Sequence, residues 1–146
     1  MKMKICAKCV PFLFLPLLSG CPMGDRLDQR YKPAETTLVT LKNEQICFGI
    51  LSAEDYQPVF ISIAPRHTPH KERWYQQHPR LSVNNGEMCI PPGVYKFPAK
   101  GQFVASFTLE SKEKAKTTEF NTRRFDTAFE IKEGHATVIK VDKNEF

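Results

Sequence analysis

The sequence predicts an all-β protein, an immunoglobulin-like β-sandwich of about seven to nine antiparallel strands with one disulfide inside the domain. Three observations predict this fold class. Short segments rich in β-branched and aromatic residues recur at a regular spacing, with turn-forming residues between them. No stretch of the domain has convincing helical periodicity over a useful length. Cys47 and Cys89 lie in separate predicted strands, in an order that resembles the disulfide pin between the two sheets of immunoglobulin-like domains.

The first half of the domain begins at Thr36, where a charged, aperiodic stretch gives way to β-branched residues. The run QICFGIL is nearly continuously apolar, so we expect its strand to be buried. Pro58 stands at the first residue of the next strand, where proline is tolerated. The predicted strands of this half cover residues 36–41, 45–51 and 58–64; residues 65–79 predict a loop, with short candidate strands at 73–76 and 80–83.

The second half starts at the strongest turn signal of the chain, Asn85-Gly86, because these residues accept the positive φ angles of a two-residue hairpin. The predicted strands that follow cover residues 87–90, 94–97, 102–109, 118–132 and 135–141. Phe125 and Phe129 have helical spacing, but alternation from Thr127 to Ile131 and the strands on both sides favour a strand. Residues 111–116 predict a charged hairpin tip, too short to form a stable helix alone.

The first 21 residues have the organisation of an export signal. Lys2 and Lys4 precede a short apolar run at 10–18, which is too short for a membrane-spanning helix of about 20 residues. The sequence Leu17-Leu18-Ser19-Gly20-Cys21 resembles the lipobox of bacterial lipoproteins. This resemblance implies cleavage of a signal peptide at 1–20, lipidation of Cys21, a flexible tether at 21–35 and a domain at 36–146. The alternative is an ordinary signal peptide followed by a chance cysteine.

Removal of the signal peptide changes what the composition indicates. Three of the 21 basic residues leave with it, so 18 basic side chains face 16 acidic ones and the net charge falls from +5 to about +2. So small an excess argues against nucleic acid as a partner. Cys6 and Cys9 leave as well, so their CxxC spacing is interpreted as chance.

Two cysteines then remain in the exported domain, Cys47 and Cys89. An oxidising compartment favours a disulfide between them. The alternatives are two buried thiols, or a metal-binding pair without further ligands.

No catalytic constellation is predicted, because a Gly-x-Ser-x-Gly elbow and a glycine-rich phosphate loop are both absent from the sequence. His67, His70 and His78 form a histidine-rich loop. Their spacing matches no standard zinc pattern, so we expect neither a metal nor a cofactor.

Two segments are candidates for binding a protein. Arg73, Trp74 and Tyr75 group the residue types that dominate interface hot spots, and Arg123 and Arg124 stand beside an aromatic residue. The alternative is a core tryptophan with ordinary surface arginines. For the loop as a whole, we favour binding, because recognition is commonly carried by loops on a rigid scaffold.

The chain resembles type VI secretion immunity periplasmic lipoproteins in four features taken together. These are the lipobox followed by Pro22, the charged tether, the run from Leu41 to Phe48 (LKNEQICF), and Cys89 before a Pro-Pro-Gly turn. The resemblance implies a lipid-anchored protein that faces the periplasm and neutralises a toxin by occluding it. Pro22 stands where aspartate is associated with inner-membrane retention, so the outer membrane is favoured. The alternatives are an accessory lipoprotein of an envelope assembly, such as a secretion or pilus machine, and an enzyme or metal carrier that uses the histidine loop.

Overall fold

The computed structural model describes residues 32–146. The predicted signal peptide, Cys21 and most of the predicted tether lie outside the described residues. Within them, no helix is long and apolar enough to cross a membrane. The elements are β1 (Val39–Lys42), β2 (Gln45–Gly49), β3 (Gln57–Pro65), one turn of 3-10 helix (His70–Glu72), β4 (Trp74–Gln77), β5 (Val83–Asn84), β6 (Glu87–Ile90), β7 (Gly101–Glu110), α1 (Lys112–Ala115), β8 (Thr122–Lys132) and β9 (His135–Ile139).

The strands form two antiparallel sheets, which confirms the predicted all-β sandwich. One sheet has four strands in the order β1-β2-β6-β5, and the other has five in the order β4-β3-β7-β8-β9. The edge strands β1 and β9 lie beside each other on one side of the molecule. On the other side, β4 and β5 are each paired with a single neighbour.

The core lies between the sheets because alternate residues of each strand point inward. Phe48 of β2 is fully buried, and its ring centroid lies 5.1 Å from that of Phe107 and 5.9 Å from that of Phe129. These contacts join the four-stranded sheet to β7 and β8. The strand predicted at 118–132 is confirmed from Thr122 onward, and Phe125 and Phe129 both point into this core.

The predicted disulfide is confirmed, but its expected position is wrong. Cys47 and Cys89 are directly opposite each other on β2 and β6, neighbouring strands of the same sheet, with 3.9 Å between their Cα atoms. Their neighbours Ile46, Phe48, Met88 and Ile90 fill the core, so alternation turns the cysteines to the outer face. The bond fixes the register of one sheet and does not pin two sheets together.

Several strand ends differ from the prediction, most of all at 80–83, where the strand begins only at Val83, and two segments differ in type. Residues 94–97 are not a strand, because a turn at Pro91 leads into a segment whose aromatic rings pack against the core. Tyr95 contacts Trp74 at 5.3 Å between centroids, and Phe97 contacts Phe103 at 5.4 Å. Residues 112–115 form one turn of helix, because the Ser111 side chain accepts a hydrogen bond from the backbone N–H of Lys114 as an N-cap.

Candidate partner-binding surface

Strand β4 carries two of the predicted binding residues on opposite faces. Trp74 is half-buried against Tyr95 at the inner side of the sheet. Tyr75 points outward, is 64% exposed and stacks on Phe60 of β3, with 6.3 Å between ring centroids. Trp74 is thus mainly a packing residue, whereas Tyr75 is available to a partner.

The outer face of the five-stranded sheet brings the two predicted segments together. Tyr75 lies in register with Ser62, Ser106 and Asp126, and the neighbouring row runs from Gln77 through Phe60 and Thr108 to Arg124. Three strand spacings of about 4.8 Å separate Tyr75 from Asp126, and two residues along β8 separate Asp126 from Arg124, so Tyr75 and Arg124 lie about 16 Å apart on one face. Arg124 is exposed and forms a salt bridge of 3.0 Å with Asp126, which also accepts a hydrogen bond from Ser106. We call this face, from Tyr75 and Phe60 to Arg124, the outer-sheet surface.

Arg123 has an internal structural role. Its Nε and Nη2 atoms donate to the two carboxylate oxygens of Glu35 at 2.8 and 2.7 Å, and Nη1 donates to the carbonyls of Leu51 and Ser52. The guanidinium also lies over the rings of Tyr56 and Phe125. The hydrogen bond from Arg123 lowers the pKa of Glu35 below its usual range. This arginine therefore holds the segment before β1 against the domain.

Arg73 is also used inside the molecule. Its Nη2 atom donates to the Glu145 backbone carbonyl at 2.7 Å, and its Nε donates to the carbonyl of Thr68. Arg66 donates to both carboxylate oxygens of Glu145, a residue that is only 7% exposed. These two arginines hold the C-terminal residues across one end of the outer face, where Val141 and Phe146 cover Ala64, Val104 and Ala128.

The histidine loop does not gather into a described metal site. Among residues 32–146, the one group of candidate ligands is Cys47, Glu87 and Cys89, and the two sulfur atoms of that group are bonded to each other. A disulfide offers no thiolate to a metal. His67, His70 and His78 are exposed.

The perturbed pKa values of the described region coincide with structural contacts. Ser111, fully buried, donates to Asp55 at 2.6 Å and lowers the pKa of that carboxyl group. Glu54 and the Tyr56 hydroxyl accept from Lys114, and they raise the pKa of the amine. Glu54, Tyr56 and Lys114 border a cleft of about 1050 Å³ between the segment before β1, the β2–β3 connection and α1. Each contact joins α1 to the β2–β3 connection, so their first role is to fix that connection.

Sequence reasoning missed the residues that complete these arrangements. The sequence places Glu35 in the predicted tether, and Glu145 stands beyond the last predicted strand, where no pattern indicates a role. Phe60 stands in the apolar run at 58–61, where no polar residue marks the outward-facing position. The register of β3 against β4, which no local pattern shows, is what places Phe60 beside Tyr75.

Comparison with known proteins identifies the family. Residues 34–134 match the model described as Domain of unknown function (DUF7480), and the chain belongs to this family. No curated protein and no solved structure matches the chain. The matched residues include both disulfide cysteines and the whole of the outer-sheet surface.

Proposed function

We propose that this chain is a lipid-anchored protein of the bacterial periplasm that binds another protein, and that it acts as an immunity protein against a type VI secretion effector. Binding would be non-enzymatic and would occlude the toxin. The observation that carries the binding proposal is Tyr75, a large aromatic side chain that is 64% exposed on a rigid sheet. Tyrosine and arginine are the residue types most enriched in interface hot spots, and Arg124 lies on the same surface.

Two further observations support the location. The Leu-Ser-Gly-Cys sequence before Pro22 has the pattern at which lipoprotein signal peptides are cleaved. The Cys47–Cys89 disulfide suits an oxidising compartment such as the periplasm. Two or more acyl chains on Cys21 would give stable anchoring, whereas a single chain gives only marginal binding.

The first experiment is a mass measurement of the mature protein. We expect an N-terminus at Cys21 that carries the added mass of three acyl chains, and a Cys21→Ser variant that lacks this mass. An unmodified N-terminus at any residue would remove the anchoring part of the proposal and leave the binding part to be judged separately.

The second experiment tests immunity. Cells that lack the gene should become sensitive to sister cells that deliver the toxin encoded beside it, and the intact gene should restore protection. A Tyr75→Ala/Arg124→Glu variant should fail to protect, whereas Leu51→Ala, which changes a side chain 83% exposed outside the outer-sheet surface, should protect fully. Loss of a secretion or pilus machine on deletion, without toxin sensitivity, would instead support an accessory lipoprotein of that assembly.

A further inference from the structure

The outer edge of β4 presents unpaired backbone groups. The backbone N–H of His78 donates to the carbonyl of Val59 at 2.8 Å, so His78 faces β3. Alternation along an antiparallel strand then turns the N–H and C=O groups of Tyr75 and Gln77 away from β3, toward solvent. Within residues 32–146, neither residue forms a backbone hydrogen bond to another segment on that side.

The other edges of the two sheets are covered or very short. Strand β9 lies beside β1, and the part of β8 that extends past β9 exchanges backbone hydrogen bonds with Glu35. At β5, which has two residues, the side-chain amide of Gln57 bonds to both backbone groups of Val83. Proteins usually protect exposed strand edges with lysine, proline or a covering segment, and the four residues of β4 include none of these. Strand β4 is therefore the edge of the described domain most open to an added strand.

A groove of about 440 Å³ runs beside this edge. It is lined by Trp74, Tyr75, Gln76, Arg80, Gly93 and Val94. Arg80 is the charged residue of that lining and is exposed, and none of the salt bridges found among residues 32–146 includes it. An extended chain laid along β4 would thus meet backbone groups, an aromatic ring and one uncompensated guanidinium, which favours a carboxylate at that position.

We propose that β4 is the docking edge for an extended segment of the partner protein, which adds as a strand to Tyr75 and Gln77 and places an Asp or Glu side chain on Arg80. This inference rests on the proposed protein-binding function and specifies how the partner is recognised. In such strand addition, main-chain hydrogen bonds supply affinity for any extended segment, and contacts of its side chains with the groove supply specificity. Tyr75 joins the docking edge to the outer-sheet surface, because its backbone belongs to the one and its ring to the other.

A peptide titration tests the docking edge directly. The probe is a seven-residue peptide of alternating Thr and Val with a central Asp, and the matched control has Lys in place of Asp. We expect the acidic peptide to shift the backbone amide resonances of Tyr75 and Gln77 in ¹⁵N spectra and to bind at least about tenfold more tightly than the lysine peptide. Absence of these shifts at about 1 mM peptide, or equal binding of both peptides, would overturn the proposal.

Variants separate this inference from the proposed function. Gln77→Pro removes an edge donor without breaking the ladder to β3, since the N–H of Gln77 points away from it, and Gln77→Ala is the matched control that keeps the donor. Arg80→Glu reverses the groove charge and does not depend on the folding of the proline variant. We expect Gln77→Pro and Arg80→Glu each to lose about tenfold in affinity for the toxin encoded beside the gene, and Gln77→Ala to bind as the wild type does.

The possible outcomes are distinct. If the toxin binds but both variants bind it unchanged, the docking edge is wrong and the immunity function stands. If the toxin does not bind but the acidic peptide docks on β4, the immunity function fails and the docking edge stands. Concentration-dependent broadening of the Tyr75 and Gln77 resonances in the protein alone would indicate pairing with a second copy and would overturn the assignment to a partner protein.

Discussion

Removal of the disulfide should destabilise the domain by a calculable amount. Cys47 and Cys89 are separated by 42 positions in the chain, so the bond closes a loop of that length in the unfolded state. The chain-entropy treatment of such a loop gives a stabilisation of about 4 kcal/mol at 25 °C. A domain of this size usually has about 5–15 kcal/mol in total, so a Cys47→Ala/Cys89→Ala variant should stay folded but lose a large share of its stability.

The assay is equilibrium urea unfolding. With a dependence of about 2 kcal/mol per molar urea, a loss of about 4 kcal/mol lowers the unfolding midpoint by about 2 M. Reductant should lower the wild-type midpoint by a similar amount and leave that of the double-alanine variant unchanged, which controls for side-chain effects. A variant midpoint within about 0.3 M of the oxidised wild type would refute the reasoning. It would mean that the apolar neighbours of the cysteines already restrict the unfolded chain as strongly as the bond does.

Three further predictions concern single residues. Gly86 and Gly134 both have a φ angle of +74°, so each Gly→Ala variant should lose about 1 kcal/mol of unfolding free energy. A Cβ atom at Gly86 would lie 3.3 Å from the Ile50 carbonyl oxygen, whereas one at Gly134 would meet nothing within 4 Å. Urea unfolding should therefore show a larger loss for Gly86→Ala than for Gly134→Ala. The Thr127 hydroxyl is buried without a hydrogen-bond partner among the described residues, so Thr127→Val should raise the free energy of unfolding by about 1 kcal/mol. Thr40 is exposed, and the control variant Thr40→Val should change the free energy of unfolding by less than about 0.5 kcal/mol. The hydrogen bond from Arg66 lowers the pKa of Glu145 below its ordinary value of 4.5, so the ionised carboxylate stabilises the fold above pH 4.5 and this contribution is lost as the pH falls through the lowered pKa. Glu145→Gln should therefore be less stable than the wild type at neutral pH, and the difference should shrink in acid; an equal difference at every pH would contradict the assignment.

Parts of several strands are visible in the sequence because inner and outer positions alternate there. Ile61 and Ile63 face the core while Ser62 faces out, and this period of two is visible without any structure. The Asn85-Gly86 hairpin was equally predictable, since both residues take positive φ angles that few other residues accept. Residues 94–97 alternate in the same way but are not paired, because alternation reports burial of one side and not the presence of a neighbouring strand.

Pairing between distant strands was outside the reach of sequence patterns. The Cys47–Cys89 bond was predictable from compartment and count, but its location within one sheet depends on β6 lying beside β2. The same limit affected the binding surface. Arg73 and Arg123 belong to the residue types of interface hot spots, yet each of them is engaged by an acceptor far away in the chain, at Glu145 and Glu35 respectively. Composition identifies residues capable of strong interactions, and only the fold decides whether the interaction is internal.

The route of the chain into the domain bears on how a partner could approach. Glu35 is bonded to β8 through its backbone and to Arg123 through its side chain, so the segment that would lead from the lipid anchor reaches the five-stranded sheet at β8. Strand β4 lies at the other edge, three strand spacings or about 14 Å from β8. In the proposed arrangement, the anchored side and the docking side are therefore opposite edges of one sheet. A partner strand added to β4 would extend the sheet away from the attachment point and would not compete with the tether for the same backbone groups.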